Sequence, residues 1–397
     1  MSSKTPVLVL GCHVSGLAVI RALGLKGIES IGLKYERTDF ADVSRYVREV
    51  VAVPHPRTEE ARFVDLLHSK RCDWAGALII DTDDNGAVAL SKHKDELSRH
   101  YRIVTAEWDV MRRFLEKKEA YKLAEEAGVP HPKNFAPKSM EELREVVGQM
   151  EYPCILKPVR GHEFVARFGM KNFIVESERE ALERFELCLQ ERQDVMLQEA
   201  ITGPETNLYK MQTYMNSKGF LSAKFFWNKI RQHPPMFGVA RVGISSERNE
   251  DVERLSEQLL RTSHYSGYCS FEFKKDLRDK QLKLMEVNVR MPRNGLLAVA
   301  SGVNFPWIIY KDLVEDQQVT VDDYTKNLYW IETGLDVYYA IFRHKKERFT
   351  IKEYLRPYLS KHKAFAVWSM HDVKPFLKHL VILFLRLFER GTRRKRR

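Results

Sequence analysis

Cysteine is scarce in this sequence of 397 residues, and its spacing does not suggest cross-links or zinc sites. The number of cysteines is odd, the intervals between them are wide, and no C-x-x-C pair occurs. This pattern argues against a disulfide framework and favours the reduced thiols of a cytoplasmic protein. The positions are Cys12, Cys72, Cys154, Cys188 and Cys269.

Long apolar runs are missing as well. No segment approaches the roughly 18 apolar residues that a membrane-spanning helix requires. The N-terminal stretch MSSKTPVLVLG leads directly into a strand-like segment, without the apolar region and cleavage site of a signal peptide. We therefore expect neither secretion nor a spanning helix.

The main part of the chain also lacks a basic surface pattern. The net charge is +11, but the segment from Lys378 to the end holds eight basic residues and one acid. The remainder is only mildly basic and shows no stripe of basic residues interleaved with aromatics, as nucleic-acid-binding proteins usually do. We expect no nucleic-acid partner.

Alternating strand-like and helix-like segments predict an α/β protein with two or three domains. Residues 5–32 follow the order strand, turn, helix, strand, and the stretches VREVVAVP and GALIIDTDD add two strands of a doubly wound sheet. The pattern becomes strongly helical after residue 105 and stops at the sequence GVP at 128–130. A domain boundary near residues 105–112 follows from this change.

The turn GCHVSG after the first strand departs from the known nucleotide-binding turns. A dinucleotide fingerprint requires glycine where His13 stands, and a P-loop requires lysine where Leu17 follows Gly16. A tight turn that opens a helix is therefore favoured, and a dehydrogenase is disfavoured. The turn could still line a substrate pocket, because ligands bind at the carboxyl ends of such strands. Three further residues fit either helix caps or that pocket: Asp81, Asp83 and Asp84.

Three later segments each allow a structural and a ligand-binding interpretation. Lys157 ends the short apolar strand CIL and is either a solvated strand end or a phosphate ligand. The stretch QEAI at 198–201 connects two strands and is either a plain turn or an adenine-binding hinge. The basic loop at 223–244, with Arg231 and Arg241, is either exposed or directed at anionic oxygens.

Two alternating segments, GYCSFEFKKD and QLKLMEVNVR, are joined by the short polar link LRDKQ and predict an antiparallel hairpin. In the second segment Glu286, Asn288 and Arg290 fall on one face. Pairing across the link brings Glu272 near Glu286. The hairpin therefore carries two neighbouring carboxylates.

Neighbouring carboxylates repel each other unless a cation offsets their charge. Lys274 or Arg290 would serve, and so would Mg²⁺, which prefers oxygen ligands and is usually held by one or two carboxylates, water and nucleotide phosphates. Asn288 adds a neutral oxygen ligand on the same face. A glycosidase also uses two carboxylates, but it needs neither the asparagine nor the lysines at earlier strand ends.

Taken in order, these segments resemble the ATP-grasp superfamily. The stretch 116-EKKEAYKLAEEAGVPHP-132 is similar to its opening helix, 154-CILKP-158 to the strand with its second lysine, and 198-QEAITGPE-205 to its hinge. The hairpin resembles the metal-binding strands of biotin carboxylase and carbamoyl-phosphate synthetase. Within the superfamily, the sequence most resembles carboxylate–amine ligases of the D-aspartate ligase type.

The resemblance covers residues 1–312 and implies an α/β architecture in three parts. A Rossmann-like pre-ATP-grasp domain would occupy residues 1–110, and a two-lobed α+β ATP-grasp domain residues 111–312. A helical C-terminal extension with an amphipathic basic tail would follow at 313–397.

The resemblance also implies which residues bind Mg-ATP. Lys117 and Lys157 would contact the phosphates. The metal, Mg²⁺ or Mn²⁺, would be held by Glu272, Glu286 and Asn288. The adenosine would be bound by Gln198, Glu199, the backbone of Ala200 and Ile201, and Glu205.

The implied activity is the ATP-dependent joining of a carboxylate and an amine through an acyl phosphate. The substrates would be small or carrier-linked, and Arg290 would contact the carboxylate or its acyl phosphate, with Arg231 and Arg241 as further candidates. One departure is the flap after the second lysine, RGHEFVARFGMKNF, which has two glycines and bulky phenylalanines where the family is rich in glycine. The alternative is a nucleotide-binding regulator or scaffold that does not catalyse ligation and acts at a membrane.

The tail 376-FLKHLVILFLRLFERGTRRKRR-397 has an apolar part, Leu380 to Leu385, that is too short to span a bilayer. An amphipathic helix with a basic end lies in the headgroup region of anionic membranes. The tail is equally consistent with a core or dimer helix. On the membrane interpretation the protein is peripheral at the inner face of a membrane, and its substrate is lipid-linked or destined for the cell envelope. A homodimer is the default assembly.

Overall fold

The computed structural model describes residues 5–158, 161–233, 238–342 and 349–394, and the chain forms two compact units. The first unit contains residues 1–127, 209–272 and 286–397, and the second contains residues 128–208 and 273–285. The C-terminal extension thus belongs to the larger unit. The division into three domains at residues 110 and 312 stays a prediction.

The first unit begins with a parallel sheet in the strand order β3-β2-β1-β4-β5. Its central strands are apolar, VLVL throughout and LIID up to the final aspartate, because helices cover both faces of a parallel sheet. The elements are β1 (Val7–Leu10), α1 (Val14–Gly24), β2 (Ser30–Lys34), a 3₁₀ helix (Ala41–Val43), β3 (Val47–Ala52), α2 (Glu60–Ser69), β4 (Leu78–Asp81), α3 (Asp84–Lys92), α4 (Lys94–Leu97) and β5 (Arg102–Ile103). Two helices follow, α5 (Trp108–Leu115) and α6 (Lys117–Glu126).

The second unit is built on an antiparallel sheet in the order β6-β9-β7-β8. Its core includes Leu156, Phe164 and Phe185, all of them buried. The elements are β6 (Asn134–Phe135), α7 (Met140–Val147), β7 (Cys154–Pro158), α8 (Gly161–Phe168), β8 (Phe173–Val175), α9 (Glu178–Gln190), β9 (Val195–Glu199) and a 3₁₀ helix (Glu205–Asn207).

A seven-stranded sheet in the order β14-β13-β10-β11-β12-β15-β16 completes the fold. The C-terminal extension adds two strands to this sheet besides its helices, and Trp330 of β15 is fully buried in the core of the first unit. The elements are β10 (Leu208–Met215), β11 (Leu221–His233), β12 (Val239–Ser245), α10 (Glu250–Thr262), β13 (Gly267–Lys275), β14 (Leu282–Asn288), α11 (Gly295–Ser301), α12 (Phe305–Leu313), β15 (Tyr329–Ile331), α13 (Thr333–Phe342), α14 (Ile351–Leu359), β16 (Lys363–Phe365) and α15 (Lys374–Arg394).

The turn GCHVSG opens helix α1, as its sequence predicts. A Cβ atom on Gly16 would lie 1.9 Å from the carbonyl oxygen of Gly11, so only glycine fits where the helix crosses the turn. His13 caps the helix, because its Nδ1 accepts a hydrogen bond from the Ser15 N–H at 3.2 Å. Asp83 caps α3 in the same way through the Gly86 N–H at 3.0 Å.

The structure also shows the state of the cysteines and the character of the helices. All five cysteines are free thiols, and four of them are buried. Within the described ranges, no helix has the length and apolar character needed to cross a membrane.

Candidate functional site

The hairpin strands β13 and β14 are neighbours at one edge of the seven-stranded sheet. The predicted alternation of the second strand is confirmed: Val287 is buried and Glu286 is exposed, while Asn288 lies on the same side as Glu286 and is partly exposed. Glu272 of β13 is also partly exposed. The stem of the hairpin thus presents carboxylate and amide oxygens, and it belongs to the first unit.

A buried lysine on β10, Lys210, neutralises these carboxylates. Its ammonium group forms an ion pair with Glu272, and Lys229 Nζ lies 3.8 Å from the same carboxylate. Burial and the positive charge of Lys229 hold the pKa of Lys210 well below its usual value, and Glu286 opposes that shift. Lys210 is not among the site residues that the sequence predicts. The available signal was a lysine in the otherwise mostly apolar strand LYKMQTYM.

Helix α6 brings another predicted residue to the same place. Lys117 is its first residue; burial lowers the pKa of Lys117, and the charge of Glu286 partly offsets this. Tyr121, one turn later, is buried, and both its burial and Glu286 raise its pKa. Within the first unit, Lys117, Lys210 and Glu286 therefore form one electrostatic group.

Arg290 lies at the carboxyl edge of the parallel sheet in the same unit. Its Nε donates to Asp84 Oδ1 at 3.1 Å. Burial raises the pKa of Asp81 to about 7, and both a hydrogen bond from Thr105 and the charge of Arg290 oppose the rise. Asp84 is thus a partner of the predicted anion-binding arginine.

Arg231 and Arg241 have a different environment from Arg290. Arg231 donates through Nε and Nη2 to the two carboxylate oxygens of Asp336 at 2.9 and 2.8 Å, and Arg241 Nη1 lies 3.3 Å from Asp336. Tyr358 donates a further hydrogen bond to this carboxylate at 2.7 Å. All three charged side chains are buried, so the arginines hold α13 to strands β11 and β12.

The hinge residues lie at the end of β9 in the second unit. Gln198 and Glu199 are buried, and Glu199 makes ion pairs with Lys283 at 3.2 Å and Arg278 at 2.5 Å. Its Oε2 also accepts the Lys133 N–H at 3.2 Å. The carboxylate that was predicted to contact adenine is therefore engaged with two cations.

The backbone groups of the residues that follow β9 make hydrogen bonds within the second unit. The Ala200 N–H donates to the Pro153 carbonyl at 3.1 Å, and the Ile201 carbonyl accepts from Lys274 Nζ at 2.8 Å. Lys157 lies in β7, opposite Met196 of β9. The side chain of Glu205 lies outside the described residues, and its backbone begins the short 3₁₀ helix.

The segment after Lys157 forms a helix over its described part, α8, where the family pattern predicts a glycine-rich loop. Phe164 is fully buried and packs against Phe168 and Phe173, with ring centroids 4.6 and 5.2 Å apart. Arg167 pairs with Glu191. The phenylalanines that break the glycine pattern are thus core residues of the second unit.

The donor set of the hairpin stem suits a hard cation. In the part of the chain that the structure describes, no group of three or more His, Cys, Asp and Glu side chains is arranged for a metal. Two carboxylates and an amide oxygen fit Mg²⁺ when phosphate and water oxygens complete its shell. Lys210 already pairs with Glu272, whereas Glu286 is exposed and interacts with Lys117 through its charge.

The chain has the ATP-grasp fold, as comparison with known proteins shows. The N5-carboxyaminoimidazole synthetase of Staphylococcus aureus superposes with a TM-score of 0.64 at 13% identity, covering 83% of this chain and 82% of that one. The biotin carboxylase domain of Hydrogenobacter thermophilus 2-oxoglutarate carboxylase, solved with MgADP and bicarbonate, gives 0.64 at 19% identity over 83% and 74%. The L-amino acid ligase of Bacillus licheniformis gives 0.59 at 14% identity over 79% and 75%.

Among curated proteins, the chain is similar to the D-aspartate ligase of Enterococcus faecium. The two are 24% identical over an alignment of 266 residues that covers 63% of this chain. The match spans about three fifths of the ligase, 62% of its length. No protein-family model matches the chain.

Proposed function

We propose that the protein is an ATP-dependent ligase that joins a carboxylate to an amine. The observation that carries the proposal is the hairpin stem, where Glu272, Glu286 and Asn288 present oxygen ligands beside Lys117 and Lys210 on the ATP-grasp fold. A structural sheet edge would not need a buried ammonium group, that of Lys210, beneath two carboxylates, because burying charge costs free energy.

To residues of the first unit we assign the binding of the metal, the phosphates and the carboxylate substrate. Glu272, Glu286 and Asn288 would hold Mg²⁺, which supplies Lewis-acid stabilisation of phosphate oxygens when bound. Lys117 would bind the phosphates, and Lys210 would orient Glu272 through their ion pair. We assign Arg290 to the carboxylate substrate and to its acyl phosphate, and Asp84 to the orientation of Arg290.

In the second unit we assign the nucleotide contacts. Lys157 would bind phosphate, and Gln198 with the carbonyl groups of Ala200 and Ile201 would bind adenine, since a carbonyl oxygen accepts two hydrogen bonds. Glu199 would order this strand end through its ion pairs. Glu205 would contact the ribose.

The reaction then follows from these charges. The substrate carboxylate attacks the γ-phosphorus of ATP, the bond to the β-phosphate oxygen breaks, and ADP leaves. The amine attacks the acyl carbon, phosphate leaves with the electron pair of the broken C–O bond, and the amine releases a proton. Cations around the phosphoryl oxygens stabilise the charge that develops in the first step.

The test is ADP release across a panel of carboxylates and amines with Mg-ATP, beginning with D-aspartate because of the similarity to a D-aspartate ligase. We expect ADP release that requires both an acid and an amine. Binding of ATP without ADP release across the panel would favour the regulator or scaffold, which the helical segment α8 supports. A panel with lipid-linked and envelope precursors defines the substrate class.

A further inference from the structure

The C-terminal helix α15 is attached to the first unit by one of its sides. Phe376 and Ile382 pack against the core of that unit, and the ring of His379 lies 4.4 Å from that of Phe40, measured between centroids. Lys378 Nζ forms an ion pair with Asp42 at 2.5 Å. These positions recur at helical intervals, so this side of α15 is fixed against the protein.

The opposite side of α15 is apolar too, and it is exposed. Its five large apolar side chains are 43% to 60% exposed and follow the spacing i, i+3, i+4, i+7, i+8. They are Leu377, Leu380, Val381, Phe384 and Leu385, and we call this set the apolar face of α15. A helix with apolar residues on both sides is expected to be covered on both sides.

Helix α13 contacts α15 and carries two further exposed apolar side chains. A Cβ atom on Gly334 would lie 3.0 Å from Leu383 Cδ1, so the start of α13 contacts α15. Val337 and Ile341 stand three and seven residues after Gly334, and both are exposed. They therefore lie on the side of α13 that carries Gly334.

The net charge of the C-terminal segment, residues 343–397, indicates which kind of partner could cover the apolar face of α15. Residues 343–397 hold 17 Lys and Arg but four Asp and Glu, a net charge of +13. Because the whole chain carries +11, residues 1–342 carry −2. In a dimer formed through this face, two C-terminal segments with a net charge of +13 each would repel one another. An anionic surface would instead attract the segment.

We propose that α15 and the adjoining side of α13 dock on the surface of an anionic lipid bilayer. The apolar face of α15 enters the boundary between headgroups and acyl chains, and the basic residues of the C-terminal segment bind anionic headgroups. The helix lies in the plane of the membrane, in keeping with the lack of a spanning helix among the described residues. This docking uses other residues than the proposed ligation and stands apart from it.

Vesicle flotation of the full chain tests the proposal. We expect binding to vesicles of phosphatidylcholine with roughly a third phosphatidylserine, weak binding to phosphatidylcholine alone, and loss of binding at high salt. The double variant Val381→Glu/Phe384→Glu should bind the anionic vesicles at least about tenfold more weakly. Replacing residues 393–397 by glutamine should weaken binding to the anionic vesicles and leave the weak binding to phosphatidylcholine vesicles unchanged.

The matched control is Leu25→Glu/Phe220→Glu, which changes two apolar side chains of similar exposure, 62% and 66%, in the same unit. It adds the same charge and should bind like the wild type. Equal binding by the two double variants, or no binding by the wild type, would overturn the proposal. A monomer–dimer equilibrium lost in Val381→Glu/Phe384→Glu, with unchanged vesicle binding, would assign the face to a second copy. A cooperative thermal unfolding transition in each variant would show that both are folded.

Discussion

The two units contain carboxylate clusters of similar composition that are neutralised in different ways. In the second unit, Glu199 and Asp276 share Arg278 and Lys283 in one network of ion pairs, with Asp276 fully buried. In the first unit, Glu272 meets a buried lysine, but Glu286 of the same hairpin remains exposed.

This difference distinguishes carboxylates that stabilise the fold from carboxylates that are available to bind a ligand. A buried carboxylate held by two cations at hydrogen-bonding distance, as Glu199 is, has little remaining affinity for a ligand. The exposed carboxylate of Glu286, near the ammonium groups of Lys117 and Lys210, can bind a metal ion that in turn binds phosphates. The same contrast distinguishes the arginines: Arg231 is buried on Asp336, and Arg290 is partly exposed at the edge of the parallel sheet. The following substitutions test this separation.

Glu286→Gln should cause the largest loss of activity. Removing one charged metal ligand should lower ADP release by about 10³-fold, which corresponds to about 4 kcal/mol of transition-state stabilisation. Because the side chain is exposed, thermal unfolding should change little. The matched control is Glu247→Gln, an exposed glutamate of the same unit, and it should retain activity. Full activity of Glu286→Gln would remove the metal assignment.

Arg231→Met should mainly lower the stability of the protein. It leaves the buried carboxylate of Asp336 without its bidentate partner, at a cost of about 3–4 kcal/mol of unfolding free energy. Urea unfolding measures this cost. Arg290→Met should change stability by less than about 1 kcal/mol and weaken turnover. If Arg231→Met kept its stability and lost only turnover, both arginines would belong to the substrate site.

Asp276→Asn should lower the stability of the second unit by about 2–3 kcal/mol at neutral pH. Burial favours the protonated acid, but hydrogen bonds from Arg278 and Lys283 outweigh it and hold the pKa of Asp276 well below its usual value. A lowered pKa in the folded state stabilises the fold above the unfolded pKa of 3.8, and this stabilisation is lost as pH falls below it.

The measurement is unfolding at a series of pH values below neutral. The wild type should lose stability below about pH 4, and Asp276→Asn should show a flatter acid dependence. The same acid dependence in both proteins would contradict the account of this network. Glu151→Gln, which removes a largely exposed partner of Arg278, is the control and should change stability by less than about 0.5 kcal/mol.

Local patterns in the sequence predicted the hairpin, its alternation and the helix-opening turn, because each depends on neighbouring residues. Val287 and Glu286 point to opposite sides as period-two spacing requires. The pairing of Arg231 with Asp336, 105 residues further on, depends on how strands and helices assemble, and no local pattern encodes it. The same holds for Lys210 with Glu272 and for Glu199 with Arg278.

The flap segment shows where a family pattern fails to predict local structure, because a helix, α8, forms in place of the glycine-rich loop. The bulky residues of RGHEFVARFGMKNF depart from a glycine-rich loop because Phe164 lies in the core of the second unit and Phe168 packs against it. Apolar residues at i and i+4 in this segment were the available signal for a helix.

The central claim is that the hairpin stem of the first unit holds the metal of Mg-ATP. Calorimetric titration with ATP, with and without Mg²⁺, tests it in the wild type and in Glu286→Gln. The account predicts that Mg²⁺ strengthens ATP binding by the wild type at least roughly tenfold and that this gain disappears in Glu286→Gln. An equal gain in both proteins would contradict it.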